Sequence, residues 1–543
     1  MKITGNVVDV NQQKIYKAEL TIKDSKIFEI KELGGEDFLF PYILPGLIDA
    51  HVHIESSMVT PVYFANHVKK FGTLGVVTDP HEISNVCGVK GFDYMYNEAK
   101  SADIQIFFGV PSCVPATPFE TSGAEFNTDI INDIFEKYDV VALSEMMNFP
   151  GVVNGFADVM DKLDAAKSHN KKIDGHAPGL KGDDLSTYIN AGITTDHEAF
   201  TYDEAKEKIN KGMMIQIREG SAARNFESLH KLISEFPDKV MFCTDDAHPD
   251  TLIKGHIDRI VRMALAKGHS IFDILKAASY NAIKHYSLPI GELKIDDSAD
   301  FIVVNNLTDF IITKSYLHGK LVFDENKSDQ LDGPNNLINE FNTDFIEISD
   351  IQIKDNNKKI KVIEAIDGEL ITNSLELDLP VSNGFIQSDL SQDVLKIVVV
   401  NRYNREAKPQ IGFIKGFHLQ KTALAGSVAH DSHNIIAVGE TDEDIVKAVN
   451  AIIKTEGGVC LVHNQKVESI PLPVAGLMAN ETIDNMAVKY NELDQKVKDL
   501  GSTLQAPFMT LAFMSLLVIP SLKLGDKGLF DVNKFEFTSI YVD

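Results

Sequence analysis

The chain has 543 residues, 44% of them apolar, and a formal net charge of −27. That length exceeds one ordinary core, so two or three domains are expected, and the apolar fraction excludes a disordered chain. The negative charge argues against nucleic acid and anionic membrane as partners, because both are polyanions.

The N-terminus, "MKITGNVVDV", lacks the basic start and apolar run of a signal peptide. It continues through "KAELTIKDSKIFEI", which alternates and turns as short strands do. Eight short apolar runs ending in polar residues follow: "GLIDAHVH", "LGVVTDPHE", "IQIFFGVPS", "VVALSEMMN", "KKIDGHAPG", "GITTDHEAF", "MMIQIREGS" and "KVMFCTDDAHPD". Helical patterns such as "VYFANHVKKFG" and "ADVMDKLDAAKSHN" separate several of them. Eight βα alternations over roughly 250 residues predict an α/β fold built on a (β/α)8 TIM-type barrel. A doubly wound sheet is the alternative, but it does not need eight similar units.

Strand texture returns at "ADFIVVNNL" and "SYLHGKLVF", so the two flanks of the barrel are expected to pair into a small β-sandwich domain. The polar stretch "DENKSDQLDGPNNLINE" reads as a linker. Beyond it, "DEDIVKAVNAIIKTEG" reads as an amphipathic helix and "VCLVHNQKVESIPLP" as a hairpin, giving a C-terminal α+β domain. "FMTLAFMSLLVI" is too short to span a bilayer and reads as core. The predicted boundaries are 1–43 with 289–344 for the small β domain, 44–288 for the barrel and 345–543 for the C-terminal domain. The four cysteines form no CxxC pair. Reduced thiols and a cytoplasmic protein fit best, with Cys87 and Cys243 as packing residues.

His51 and His53 stand two apart in the first barrel strand, so both project to one side near its C-terminal end, where barrel active sites are built. Alone, such a pair is more often two satisfied histidines. The other strand ends add Glu145, His176, His197 and the pair Asp245–Asp246, a sequence of candidate ligands that packing does not explain. The set is large enough for two divalent metals: His51, His53 and Asp245 on one, His176 and His197 on the other, with Glu145 bridging through its two oxygens. Imidazole and carboxylate donors without thiolate suit Mn2+, Fe2+ or Zn2+. A bridged pair acidifies bound water, and Asp245 stands beside it as the proton acceptor.

Other strand-end residues form an outer set. His81 and Glu82 could contact substrate or shuttle protons, and Glu219 could bond to ring N–H groups. Arg218 is expected to pair with a carboxylate. Asp246 faces away from Asp245 unless the loop turns, and is a candidate for substrate binding. In the C-terminal segment "AHDSHN", His430, Asp431 and His433 form a possible additional site, with a hydrogen-bonded turn as the alternative.

The segments "PGLIDAHVHIESSM", "TDPHEISNVCG", "SEMMNFPGV", "GHAPGL", "TDHEAF", "REGSAARN", "TDDAHPD" and "AGSVAHDSHNIIAVG" resemble the amidohydrolase superfamily and, more narrowly, the bacterial adenine deaminase family. In many members of the superfamily a carboxylated lysine bridges the metals; here Glu145 stands in its place, as the narrower family's pattern implies. The resemblance implies hydrolysis of adenine to hypoxanthine and ammonia in purine salvage or catabolism. Hydroxide would attack C6 and the exocyclic amine would leave. Strand-end position assigns catalytic roles to Asp245, Glu219, His81 and Glu82, and purine contacts to Asp246, Glu219 and His81. A binuclear centre of Mn2+ (or Fe2+) is favoured over Zn2+, the partner is a small purine base, and a homodimer is expected. An amino-sugar deacetylase and a non-catalytic scaffold of the same fold are the competing readings.

Overall fold

The computed structural model describes residues 1–327, 333 and 336–542. Within the linker, residues 328–332 and 334–335 lie outside the described residues. The chain divides into two compact units, one of residues 1–80, 95–112 and 127–334, the other of 81–94, 113–126 and 335–543.

The first unit contains the barrel. Its eight strands are Leu47–Val52, Thr73–Thr78, Gln105–Val110, Val140–Met146, Lys172–Gly175, Thr195–Asp196, Met214–Arg218 and Val240–Cys243. All eight are the runs singled out in the sequence. The first two are buried at every position, as expected of parallel strands covered on both faces. Neighbours pair in parallel from the first strand to the fifth and from the sixth to the eighth. The fifth and sixth are joined where Thr194 N donates to Ile173 O at 2.9 Å.

The ring closes between the first and eighth strands. Val52 and Asp245 form a parallel bridge, with Asp245 N donating to His51 O at 2.9 Å and His53 N donating to Asp245 O at 3.1 Å. The helix Ile257–Ala266 shows how the outer ring is held. Its Ile257, Ile260, Val261 and Ala264 recur at one-face spacing and are all fully buried. Helix starts are set locally: Asn127 and Thr201 cap Thr128–Lys137 and Tyr202–Asn210 through their side chains.

The flanks join into one sheet of seven strands. Its order is Lys320–Asp324, Ile312–Leu317, Phe301–Val304, Tyr42–Pro45, Lys2–Asp9, Lys14–Lys23, Lys26–Gly35. One face closes over its own cluster, including Val7, Leu20, Ile27, Ile43 and Phe301. The adjacent Val8 points the other way, into the cluster that packs the barrel helices.

The second unit is built on an eight-stranded mixed sheet. The helix Asp442–Thr455, capped by Thr441, buries Ile445, Ala448, Val449 and Ile452. Gly458–His463 and Lys466–Pro471 form the expected hairpin. The apolar 508–519 stretch is core, with Phe508, Leu511 and Leu517 buried. Among the described residues, no helix is long and apolar enough to cross a membrane. Residues 81–94 and 113–126 fold within this unit, where Gly123 N donates to Asn85 O at 2.6 Å and Asn85 Nδ2 donates to Cys113 O at 3.0 Å.

Candidate active site

The strand ends of the first unit bring six of the predicted residues together. His51, His53, Glu145, His176, His197 and Asp245 are all buried, none more than 6% exposed. His51 and His53 keep to one side because the chain stays extended through His53. Asp245 is placed beside them by the ring-closing bridge. Beneath them Asp49 locks the same seam, accepting from Thr244 N at 3.1 Å and from the Thr244 hydroxyl, with His256 Nε2 at 3.1 Å.

Four donor atoms face one point. His51 Nε2 and His53 Nε2 lie 3.3 Å apart. Glu145 Oε1 is 3.6 Å from His51 Nε2 and 3.1 Å from His53 Nε2, while Asp245 Oδ1 is 3.5 and 2.9 Å from the same atoms. Donors about 2.1 Å from a tetrahedral centre stand about 3.4 Å from one another, so these spacings suit a first-row divalent cation. The other ring nitrogen of His53, Nδ1, donates to Asp79 O at 3.0 Å, which leaves Nε2 as a lone pair.

The second oxygen of Glu145 serves a second group. Oε2 lies 2.7 Å from His176 Nδ1 and 3.3 Å from His197 Nε2, and those two nitrogens are 3.2 Å apart. One carboxylate therefore faces two imidazole pairs, one with each oxygen, which is the arrangement a bridging ligand requires.

The electrostatics match. Burial opposes charge on Glu145, but the histidines, His176 foremost, hold its carboxyl well below the usual range. Asp245 is likewise held well below its usual range, against burial, by the Arg218 charge and the histidines. Burial alone would lower His51; Asp245 and Glu145 outweigh it and raise its pKa to about 10. The field of the site favours positive charge among the imidazoles. Its donors are nitrogen and carboxylate oxygen without thiolate, and they fit divalent metal.

Two charged residues outside the predicted ligand set complete the wall. Arg218 Nη1 contacts both Glu198 Oε1 and Asp245 Oδ2, and Arg218 Nη2 lies 3.6 Å from Asp246 Oδ2. Glu198, absent from the sequence reading, is also 3.7 Å from His197 Nε2 and 3.9 Å from His176 Nδ1. A search for ion-pair partners at neighbouring strand ends would have found it. Asp246 does not face away: Asp245 adopts φ 55°, so the chain turns and Asp246 shares Arg218 with Asp245. Ser56 Oγ donates to Asp246 Oδ1 at 2.6 Å.

Glu219 is buried but stands outside the converging donors. Its Oε1 lies 3.4 Å from Arg259 Nη1 and 3.8 Å from Arg224 Nε. Burial, partly offset by those arginines, raises its pKa. Cys243 is fully buried, with burial pushing its thiol up, as packing predicts.

The remaining predicted residues gather in the second unit. His81 and Glu82 open the helix His81–Cys87. Glu82 Oε1 lies 2.8 Å from His430 Nδ1, and Glu82 Oε2 contacts His433 Nε2. His81 Nε2 is 3.6 Å from Glu82 Oε1 and 3.9 Å from Asp431 Oδ1.

Comparison with known proteins agrees with this architecture. Residues 42–322 match the amidohydrolase family and residues 369–536 the adenine deaminase C-terminal domain. An adenine deaminase of Methanosarcina barkeri is 50% identical, covering 99% of this chain and 98% of its own. Those of Methanosarcina mazei and Salinibacter ruber are 49% and 45% identical, covering 100% of this chain and 100% and 99% of their own. Matched over its whole length in both the barrel and the C-terminal unit, the chain belongs to the adenine deaminase family, within the amidohydrolases.

Proposed function

We propose that the chain hydrolyses adenine to hypoxanthine and ammonia. The observation that carries this is the Glu145 carboxylate set between two imidazole pairs, in a chain related over its whole length to adenine deaminases. His51, His53, Asp245 and Glu145 Oε1 would hold one divalent cation, and His176, His197 and Glu145 Oε2 a second. Bound there, the cations supply the charge that acidifies water near neutral pH.

The chain's own residues do the rest. Asp245 is ionised and accepts the proton released as water adds to C6. Arg218 grips Asp245 Oδ2, which turns Oδ1 toward His51 and His53. The proton then passes to the exocyclic nitrogen, which leaves as ammonia. Glu219, His81, Glu82 and Asp246 are assigned to ring contacts and proton transfer from their places at the strand ends. Arg218, Arg224 and Arg259 all face carboxylates, so they form no cradle for a phosphate. A free base is therefore favoured over a nucleotide or a phosphosugar. Mn2+ or Fe2+ ahead of Zn2+, a homodimer and purine salvage or catabolism belong to the same reading and rest on the family resemblance; a cytoplasmic location rests on the cysteine pattern.

The test is release of hypoxanthine and ammonia from adenine by the purified chain. Chelation should abolish it and Mn2+ should restore it, with about two ions per chain in the barrel set. Full activity in protein free of transition metal would sink the reading.

A further inference from the structure

The second unit holds a donor set that shares no residue with the barrel set. Glu82, His430 and His433 are 2%, 3% and 1% exposed, and their donor atoms all lie within 4.8 Å of one another. The two oxygens of Glu82 face different imidazoles, His430 Nδ1 and His433 Nε2. Asp431, 3% exposed, lies alongside with Oδ1 3.9 Å from His430 Nδ1, and its buried Oδ2 has no hydrogen-bond partner among the described residues.

The loop that carries these residues is fixed from outside. Arg402, fully buried, donates to His433 O at 3.3 Å, and Tyr403 OH donates to Ser432 O at 2.6 Å. Ser432 Oγ donates to Glu120 Oε2 at 2.6 Å, and Asn434 Nδ2 donates to Thr121 O at 2.9 Å. Phe513 stacks on the His430 ring at 4.4 Å. Two imidazoles and two carboxylates are buried together here, and buried carboxylates are costly without a compensating charge. A bound cation would supply that charge.

We propose that Glu82, His430 and His433 hold a first-row divalent cation of their own, with Asp431 as the nearest further carboxylate. The donor chemistry, imidazole with carboxylate and no thiolate, is that of Zn2+, Fe2+ or Mn2+. With ligands from the start of one helix and from a loop, the ion ties His81–Cys87 to the 430–434 segment.

Crystals of the chain grown with excess Zn2+, and separately with Mn2+, test this by anomalous scattering. A peak is expected between the Glu82 carboxylate and the His430 and His433 imidazoles. Peaks at the barrel histidines with none at Glu82 in either crystal overturn the proposal and leave the proposed function standing. Peaks at neither place overturn both. In solution, elemental analysis should find about three ions per chain, falling to about two in Glu82→Gln and in His430→Ala/His433→Ala. A wild-type chain that saturates at two, both lost with His51→Ala/His53→Ala, also overturns it.

Discussion

The barrel and the C-terminal unit each set a glutamate between histidines, but they do so in different ways. In the barrel, Glu145 faces two complete imidazole pairs, and every donor sits at the end of a parallel strand. In the C-terminal unit, Glu82 faces one imidazole with each oxygen, and the histidines come from a single loop. The first geometry has donors for two ions and one shared carboxylate; the second has donors for one. Strand ends can be varied without disturbing the barrel beneath them, which suits chemistry. A loop pinned by a buried arginine suits a fixed tie.

Glu145→Gln against Glu82→Gln breaks the comparison most sharply. An amide keeps one oxygen, so Glu145→Gln removes the shared contact and leaves two cations less well separated. Metal content should fall by more than one ion per chain, and turnover should drop below that of any other single variant here. Glu82→Gln should lose a single ion. Equal metal loss in the two variants would show that Glu145 does not bridge.

Asp245→Asn comes next. The amide still offers an oxygen to metal but accepts no proton, so kcat should fall by roughly 10²–10⁴-fold while most of the metal stays. Steady-state kinetics with metal analysis on one preparation decides it. Near-normal kcat would move the base elsewhere.

Arg218→Gln is the smallest of the three. It frees Asp245 Oδ2 and leaves Glu198 without its cation, so it should act through the position of Asp245. Outer residues of this kind typically shift activity by about 10–100-fold. The loss should lie in kcat with KM little changed, and Arg218→Lys should recover part of it. A change confined to KM would place Arg218 against the substrate instead.

Much of the barrel site is legible in the sequence because strands carry a period of two and end at one face. His51 and His53 needed only that rule, and Glu145, His176, His197 and Asp245 each follow an apolar run. Other features follow from distance or from backbone turns that no periodicity records. Glu198 is visible only once the next strand brings Arg218 beside it, 20 residues on. The placement of Asp246 depends on the positive φ of Asp245. Glu82 and His430 are 348 residues apart, and no local pattern links them. The folding of residues 81–94 with the C-terminal unit is hidden for the same reason: their βα pattern reads locally like the rest of the barrel.

The seam between the first and eighth strands has a temporal consequence. Asp49 and Thr244, the pair beneath the site, are 195 residues apart in the chain. Closing so long a loop is slow and comes after the local βα units have formed. His51 and His53 therefore wait for Asp245, and a nascent chain that has not yet delivered its eighth strand has only a partial set of donors. If the barrel residues hold metal as proposed, the full donor set would form only when the ring is complete.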